Sequence, residues 1–163
     1  GDAVSARLKW HLGRERMIDQ RFIGHCFEPF EAEVEAGRLR AFANAIGETD
    51  PMYRDLEAAR AAGHPHLPVP PTFLFCLEME APDPGALRAL LGIDIAKVLH
   101  GEQGFEYHRL VYAGERLTFE QRIGDIYSKK QGALEFVVRD TRVVDQRGTA
   151  VADLRCVTVV RNS

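Results

Sequence analysis

No run of the chain is apolar for long enough to span a bilayer, and its first residues carry no apolar signal-peptide core. A cytoplasmic protein with no membrane partner is the expectation. Nor is there a basic block: the formal net charge is -3, with lysine and arginine spread along the chain, which leaves no electrostatic footprint for nucleic acid. Cysteine is scarce. Cys26, Cys76 and Cys156 are odd in number, far apart and outside any CxxC pair, so reduced, buried thiols are expected rather than disulfides or a metal site.

What is present suits one folded unit. A chain of 163 residues with 45% apolar side chains is long enough for a single domain with a real core. The stretch 1–16 is arginine-rich, with little periodicity beyond Trp10 and Leu12. It is expected to be an extension, disordered or vector-derived and without function, leaving 17–163 as the domain.

Hydrophobic periodicity changes along the chain. Over 30–36, Glu31, Glu33 and Glu35 alternate with Ala32, Val34 and Ala36, the period of a half-buried strand. Leu39, Phe42, Ala43 and Ile46 then form an i, i+3, i+4, i+7 stripe, one face of a short helix ended by Gly47. Asp55 is placed to cap a second helix, with Glu57 in its first turn and Gly63 beyond its end. Pro71 opens a third helix, where a missing amide costs nothing. Thr72, Phe73, Leu74, Phe75, Cys76 and Leu77 then place apolar side chains on every face, so this helix has to be wrapped. Asp83-Pro84 and Gly92 bracket a fourth.

The second half reads as sheet. Leu117, Phe119, Ile123 and Tyr127 alternate with Arg116, Thr118, Glu120 and Arg122, a strand with one wet face. Turn signals at Lys130-Gln-Gly132 and Asp145-Gln-Arg-Gly148 divide the rest, so 98–109, 115–127, 133–144 and 149–160 are predicted as four consecutive antiparallel strands. An apolar helix plus such a sheet gives an α+β architecture in which the sheet curls around the helix.

One ordered string carries the chemistry. Gly47, Glu48, Asp50, Pro51 and Tyr53 lie between the first two helices, ahead of the Pro70-Pro71-Thr72-Phe73 step. This order resembles the MaoC-like dehydratases, R-specific enoyl-thioester hydratases of hot-dog fold, whose signature reads Gly-Asp-x-Asn-Pro-x-His. In that family the Asp and His act together on one water. Here Glu48 stands at the Asp position and Tyr53 at the His position, and a phenol of ordinary pKa near 10 is a poor base at neutral pH. The departure is similar to the N-terminal, FAS1-like dehydratase domains, which often carry Tyr there and pair with a second hot-dog domain bearing Asp and His. The resemblance runs from about Phe22 to Val160 and takes in His100-Gly-Glu-Gln103, Tyr107-His-Arg109 and Ala113-Gly114; Leu110 and Glu115 depart from it.

The resemblance implies a hot-dog fold with a curled antiparallel sheet around a central helix. It further implies reversible hydration of 2-enoyl thioesters and dehydration of 3-hydroxyacyl thioesters of CoA or acyl-carrier protein, without a cofactor or metal. Glu48, Asp50 and Tyr53 are the degenerate catalytic positions; Pro71, Thr72, Phe73, His100 and Gly101 are candidates for substrate binding. The chain is then the acyl-binding half of a heteromer with a catalytic hot-dog subunit. Alternatives are a self-sufficient homodimer with Glu48 as base, assisted by Tyr53, Asp50 or His100, and a non-enzymatic assembly module. From the residues alone, Glu48 and Asp50 also read as ordinary turn acids. His64-Pro-His66 has the spacing of a metal-ligand pair but no third ligand nearby, and His100 reads more readily as a structural strand histidine.

Overall fold

The computed structural model describes residues 17–162; the extension expected over 1–16 lies outside them. Five strands, β1 (Phe30–Glu33), β2 (Val98–Tyr107), β3 (Arg116–Lys129), β4 (Leu134–Val144) and β5 (Ala150–Arg161), form one antiparallel sheet in the order β1-β3-β4-β5-β2. Four short helices accompany it: α1 (Ala36–Ala45), α2 (Leu56–Ala61), α3 (Leu74–Glu78) and α4 (Ala86–Leu91). The four long strands fall within a few residues of their predicted positions. Their pairing is not consecutive, however. β2 bypasses β3 and pairs with β5, because the connection between β2 and β3 is engaged elsewhere: Val111 O accepts from Val69 N, Ala113 N donates to Leu67 O, and Gly114 N donates to Val34 O. No hairpin turn remains to fold β2 back on β3.

On β3 the predicted alternation holds through Leu117, Phe119 and Ile123, all buried. A bulge between Ile123 and Asp125 then shifts the register against β4, so Ile126 takes the core face in place of Tyr127. Tyr127 instead stacks on Phe136 of β4, ring centroids 4.8 Å apart.

The first strand is shorter than the 30–36 expected, since Ala36 already belongs to α1. Leu39 and Ala43 are the buried positions of α1, Phe42 is half-buried, and Ile46 projects into solvent instead of completing the stripe. Asp55 caps α2 as expected, accepting from Glu57 N at 3.2 Å. Similarly, the Asp83 carboxylate accepts from Gly85 N, but α4 starts at Ala86, two residues later than the proline suggested.

The central helix differs most from expectation. Pro71 begins a turn, with Phe73 N donating to Pro70 O, and the helix itself covers only Leu74–Glu78. Phe73, Leu74 and Leu77 are buried in one cluster with Leu117, Phe119, Val143, Ala152 and Leu154 of the sheet. Phe75 and Cys76 are only partly covered, and the helix ends on a buried carboxylate, Glu78. A second cluster, Ile18, Ile123, Ile126, Val137 and Val160, is covered by Phe22, Phe27 and the apolar side of α4. Of the three cysteines expected to be buried, Cys156 is, Cys76 is intermediate and Cys26 is exposed. Cys26 sits in an isolated bridge to Arg122 outside the main strands, and among the described residues its thiol stays exposed, 3.6 Å from Gly24 O.

Two outcomes follow. Phe73→Ala and Leu77→Ala are expected to cost about 2–5 kcal/mol each in urea denaturation, and Phe75→Ala clearly less, its ring being part-solvated already. Equal losses at all three positions would mean that the helix is enclosed on every face in solution. In alkylation of the native protein followed by peptide mass mapping, Cys26 should be modified first and Cys156 last. Burial, outweighing the nearby Arg139 charge, pushes the Cys156 thiol up and keeps the reactive thiolate scarce.

Candidate functional site

The loop after α1 is built by local bonds. Gly47, at φ +72°, turns the chain where Gly47 N and Glu48 N still bond back to Asn44 O and Ala43 O. Glu48 Oε1 accepts from Asp50 N at 3.0 Å, and Asp50 Oδ1 accepts from Met52 N at 3.0 Å, capping the single turn Pro51–Tyr53. Both acids therefore hold the loop in shape. Tyr53 is half-buried beside them, and its phenol is pushed above the ordinary tyrosine range, first by burial and then by the Glu48 and Asp50 charges.

The Pro70–Phe73 step meets α1, the helix before this loop, through its aromatic residue. Phe73 meets Phe42 of α1 edge to face at 5.2 Å, and the Arg38 guanidinium lies 5.6 Å over the same ring. Pro71 O accepts from Tyr107 OH at 2.5 Å, tying the step to β2, and burial keeps that phenol protonated well above its usual range. The amides of Phe73 and Phe75 are engaged by Pro70 O and Thr72 O, while Pro71 and Thr72 themselves are exposed.

His100 and Gly101 lie in a different place, at a bulge in β2. A Cβ on Gly101 would stand 2.7 Å from Val159 Cγ2 and 3.0 Å from Val157 O, so the near neighbour of this glycine is the protein's own β5. His100 meets the Phe75 ring edge to face at 5.5 Å, with its Nε2 3.9 Å from Cys156 Sγ. It lines a cavity of about 300 Å³ with Phe75, Glu78, Arg139, Cys156 and Thr158; none of Glu48, Asp50 or Tyr53 does so. His64 Nδ1 is paired with Tyr112 OH at 3.0 Å and His66 Nδ1 accepts from Leu67 N at 2.7 Å, so each of those rings already has a partner.

Beside His100 the inner face of the sheet is polar, which the alternation pattern did not disclose. Glu78 is 3% exposed, and its Oε1 accepts from Gln121 Nε2 at 2.9 Å and Thr141 Oγ1 at 2.8 Å. Arg139 Nε stands 3.0 Å from the same oxygen, too poorly aligned for a hydrogen bond. In the register, Gln121 faces Thr141 and Arg139 faces Cys156, which in turn faces Gln103, so these residues share one side of the sheet. The available signal was Gln121 itself: it occupies the core-facing parity between Phe119 and Ile123, where a polar residue requires a partner.

A family model described as FAS1-like, dehydratase domain region matches residues 21–154. A UPF0336 protein of Saccharopolyspora erythraea is 37% identical over 147 residues, covering 90% of this chain and 93% of its own. Among solved structures, the HadBC (3R-hydroxyacyl-ACP dehydratase) complex from Mycobacterium tuberculosis is similar at TM-score 0.72 and 23% identity, over 85% of this chain and 96% of that one. The ChsH1-ChsH2 complex from the same organism is similar at TM-score 0.69 and 24% identity, over 84% and 89%. At these identities the structural neighbours speak for the fold. Sheet, central helix and the matched stretch from Arg21 to Leu154 together make this chain a member of the FAS1-like dehydratase family, with the hot-dog fold of the MaoC-like dehydratases and R-hydratases.

Proposed function

We propose that the chain is the acyl-binding, catalytically degenerate half of a two-subunit dehydratase that interconverts 3-hydroxyacyl and 2-enoyl thioesters in the cytoplasm, without a cofactor. The observation that carries this reading is Tyr53. Hydration needs a group that takes a proton from water at neutral pH, and a phenol held above its ordinary range by burial and two carboxylates is protonated there. Glu48 supplies an acid one methylene longer than the family's Asp. One of its oxygens is already held by Asp50 N, and displacement of a reacting carboxylate by about 1 Å can cost roughly a hundredfold in rate.

The reading is supported by neighbours that are themselves two-component assemblies, the HadBC and ChsH1-ChsH2 complexes. It is also supported by the open edge of the sheet. β2 is an edge strand of ten residues with Leu99 exposed, and a long edge of this kind invites pairing with a second sheet, from another copy or from a catalytic hot-dog subunit. On this view Pro71, Thr72 and Phe73 border the thioester, and His100 and Gly101 lie along the acyl chain. The ligand is carried by CoA or acyl-carrier protein.

The test is an assay of the purified chain against crotonyl-CoA and longer enoyl-CoAs, alone and co-expressed with a hot-dog subunit carrying the family's Asp and His. No turnover is expected from the chain alone. Within the active pair, Glu48→Gln and Tyr53→Phe should stay within a few-fold of the unmodified rate, since neither removes an interaction made only in the transition state. Robust turnover by the isolated chain, lost on Glu48→Gln, would establish a self-sufficient hydratase with Glu48 as base. An active pair whose acyl-chain preference ignores every change in this chain would leave it an assembly module.

A further inference from the structure

β2 has an open side. Among the described residues no backbone group from 99 to 107 bonds outside the β5 ladder except Gly104 O, which accepts from Gln103 Nε2 at 3.5 Å. The other edge strand, β1, has four residues, so the ten-residue β2 is the larger template for a strand from another chain. Phe105 and Tyr107 turn towards the core, and by alternation Glu102, Gly104 and Glu106 turn to the opposite, exposed face. On that face Glu120, Arg142, Asp153 and Glu106 form one row across four strands, and Asp125, Val138, Val157 and Glu102 form another. Signs alternate along the first row until the edge, where Glu106 faces Asp153, like against like. Asp153 is already held by His108 at 2.7 Å, and Glu102 faces only Val157. Arg155 lies between them on β5, opposite Gly104, yet among the described residues neither glutamate has an ion pair or a side-chain hydrogen bond. β2 itself holds no lysine or arginine. The open edge is therefore acidic at two positions four residues apart.

We propose that this edge takes an antiparallel strand of a different polypeptide, one that presents lysine or arginine at two positions four residues apart, opposite Glu106 and Glu102. Midway, Gly104 leaves room for a bulky partner side chain, since even a Cβ there would stand 3.8 Å from its nearest neighbour, Arg155 Cβ. Past the bulge, the exposed Leu99 ends the apolar row Tyr127, Phe136, Val159, Leu99 and asks for an apolar residue beside it. A second copy of this chain fits poorly. Its β2 brings no cation to either glutamate, and a two-fold pairing centred on Gly104 sets Glu102 of each copy against Glu106 of the other. The inference rests on the two-subunit reading above for the identity of the partner, whereas the charge pattern of the edge stands without it.

The probe is this same chain with its edge charges reversed. Glu102→Lys together with Glu106→Lys makes a basic edge on the same fold, and both positions are exposed, so the fold is expected to tolerate the change. Sedimentation of the full unmodified chain, of the double variant and of their equimolar mixture is expected to show a 1:1 complex in the mixture. That complex should be about tenfold or more tighter than self-association of either chain, because two repulsive cross-strand pairs become attractive. Hydrogen exchange over 99–107 should slow in the mixture alone, and raising NaCl from about 0.05 M to about 0.5 M should reduce the advantage. A dimeric mass for the unmodified chain by itself at low salt, with slow exchange over 99–107, overturns the proposal and needs no variant; so does a mixture no tighter than its components. A tight mixture together with robust hydratase turnover by the unmodified chain alone retains the edge and removes the two-subunit reading. An active co-expressed pair whose assembly is unchanged by the double substitution does the reverse.

Discussion

Coverage of the inner face of the sheet is the constraint on which everything else depends. A five-stranded antiparallel sheet with one wet face needs a partner for the other, and here much of that contact comes from a helix of five residues and the turn before it. Phe73, Leu74 and Leu77 are withdrawn from water against Leu117, Phe119 and Leu154, each such side chain contributing about 1.5–3 kcal/mol of apolar transfer. Because the helix is short, its cover runs out at Glu78. A second patch from Phe22, Phe27 and α4 protects the far end of the sheet. The two apolar clusters with a polar row between them are a consequence of that arrangement.

The polar row is expensive to maintain. A carboxylate and a guanidinium removed from water lose hydration that their mutual attraction restores only when further hydrogen bonds assist. Gln121 and Thr141 provide that assistance on one side of Glu78. The bulge at Gly124 helps set the geometry, since it lets β3 present Gln121 and Ile123 before the register change and Ile126 after it on the same face. A polar row of this kind depends on cross-strand register, and a one-residue slip would turn the strand side chains to the opposite side of the sheet.

The acid loop is held by bonds within its own few residues and by one aromatic contact beside it. Gly47 turns the chain, Asp50 caps Pro51–Tyr53, and Phe73 closes against Phe42. Tyr53, at the end of that turn, carries a phenol pushed above its ordinary range. These facts describe a scaffold, and a scaffold does not by itself fix an activity.

Local features were legible in the sequence by itself. The Asp55 cap, the glycines closing α2 and α4, the two turns that separate β3, β4 and β5, and the family string around Glu48 and Tyr53 all depend on residues within a few positions of one another, whose preferences the backbone obeys directly. Burial of Leu39, Phe73, Leu77 and Phe119 was likewise visible as periodicity. Tertiary structure alone decided what depends on partners distant in the chain. β2 pairs with β5 because the segment after it is bonded to 67–69 and Val34; Ile126 displaces Tyr127 because of a bulge; and Cys26 is exposed in an isolated bridge outside the main strands. Glu78, which no sequence pattern singled out, is the centre of a buried polar row, because its acceptor is matched only where β3 and β4 bring Gln121 and Thr141 beneath it. Sequence spacing governs what a residue does to its own neighbourhood, but burial and charge pairing are properties of the whole packed sheet.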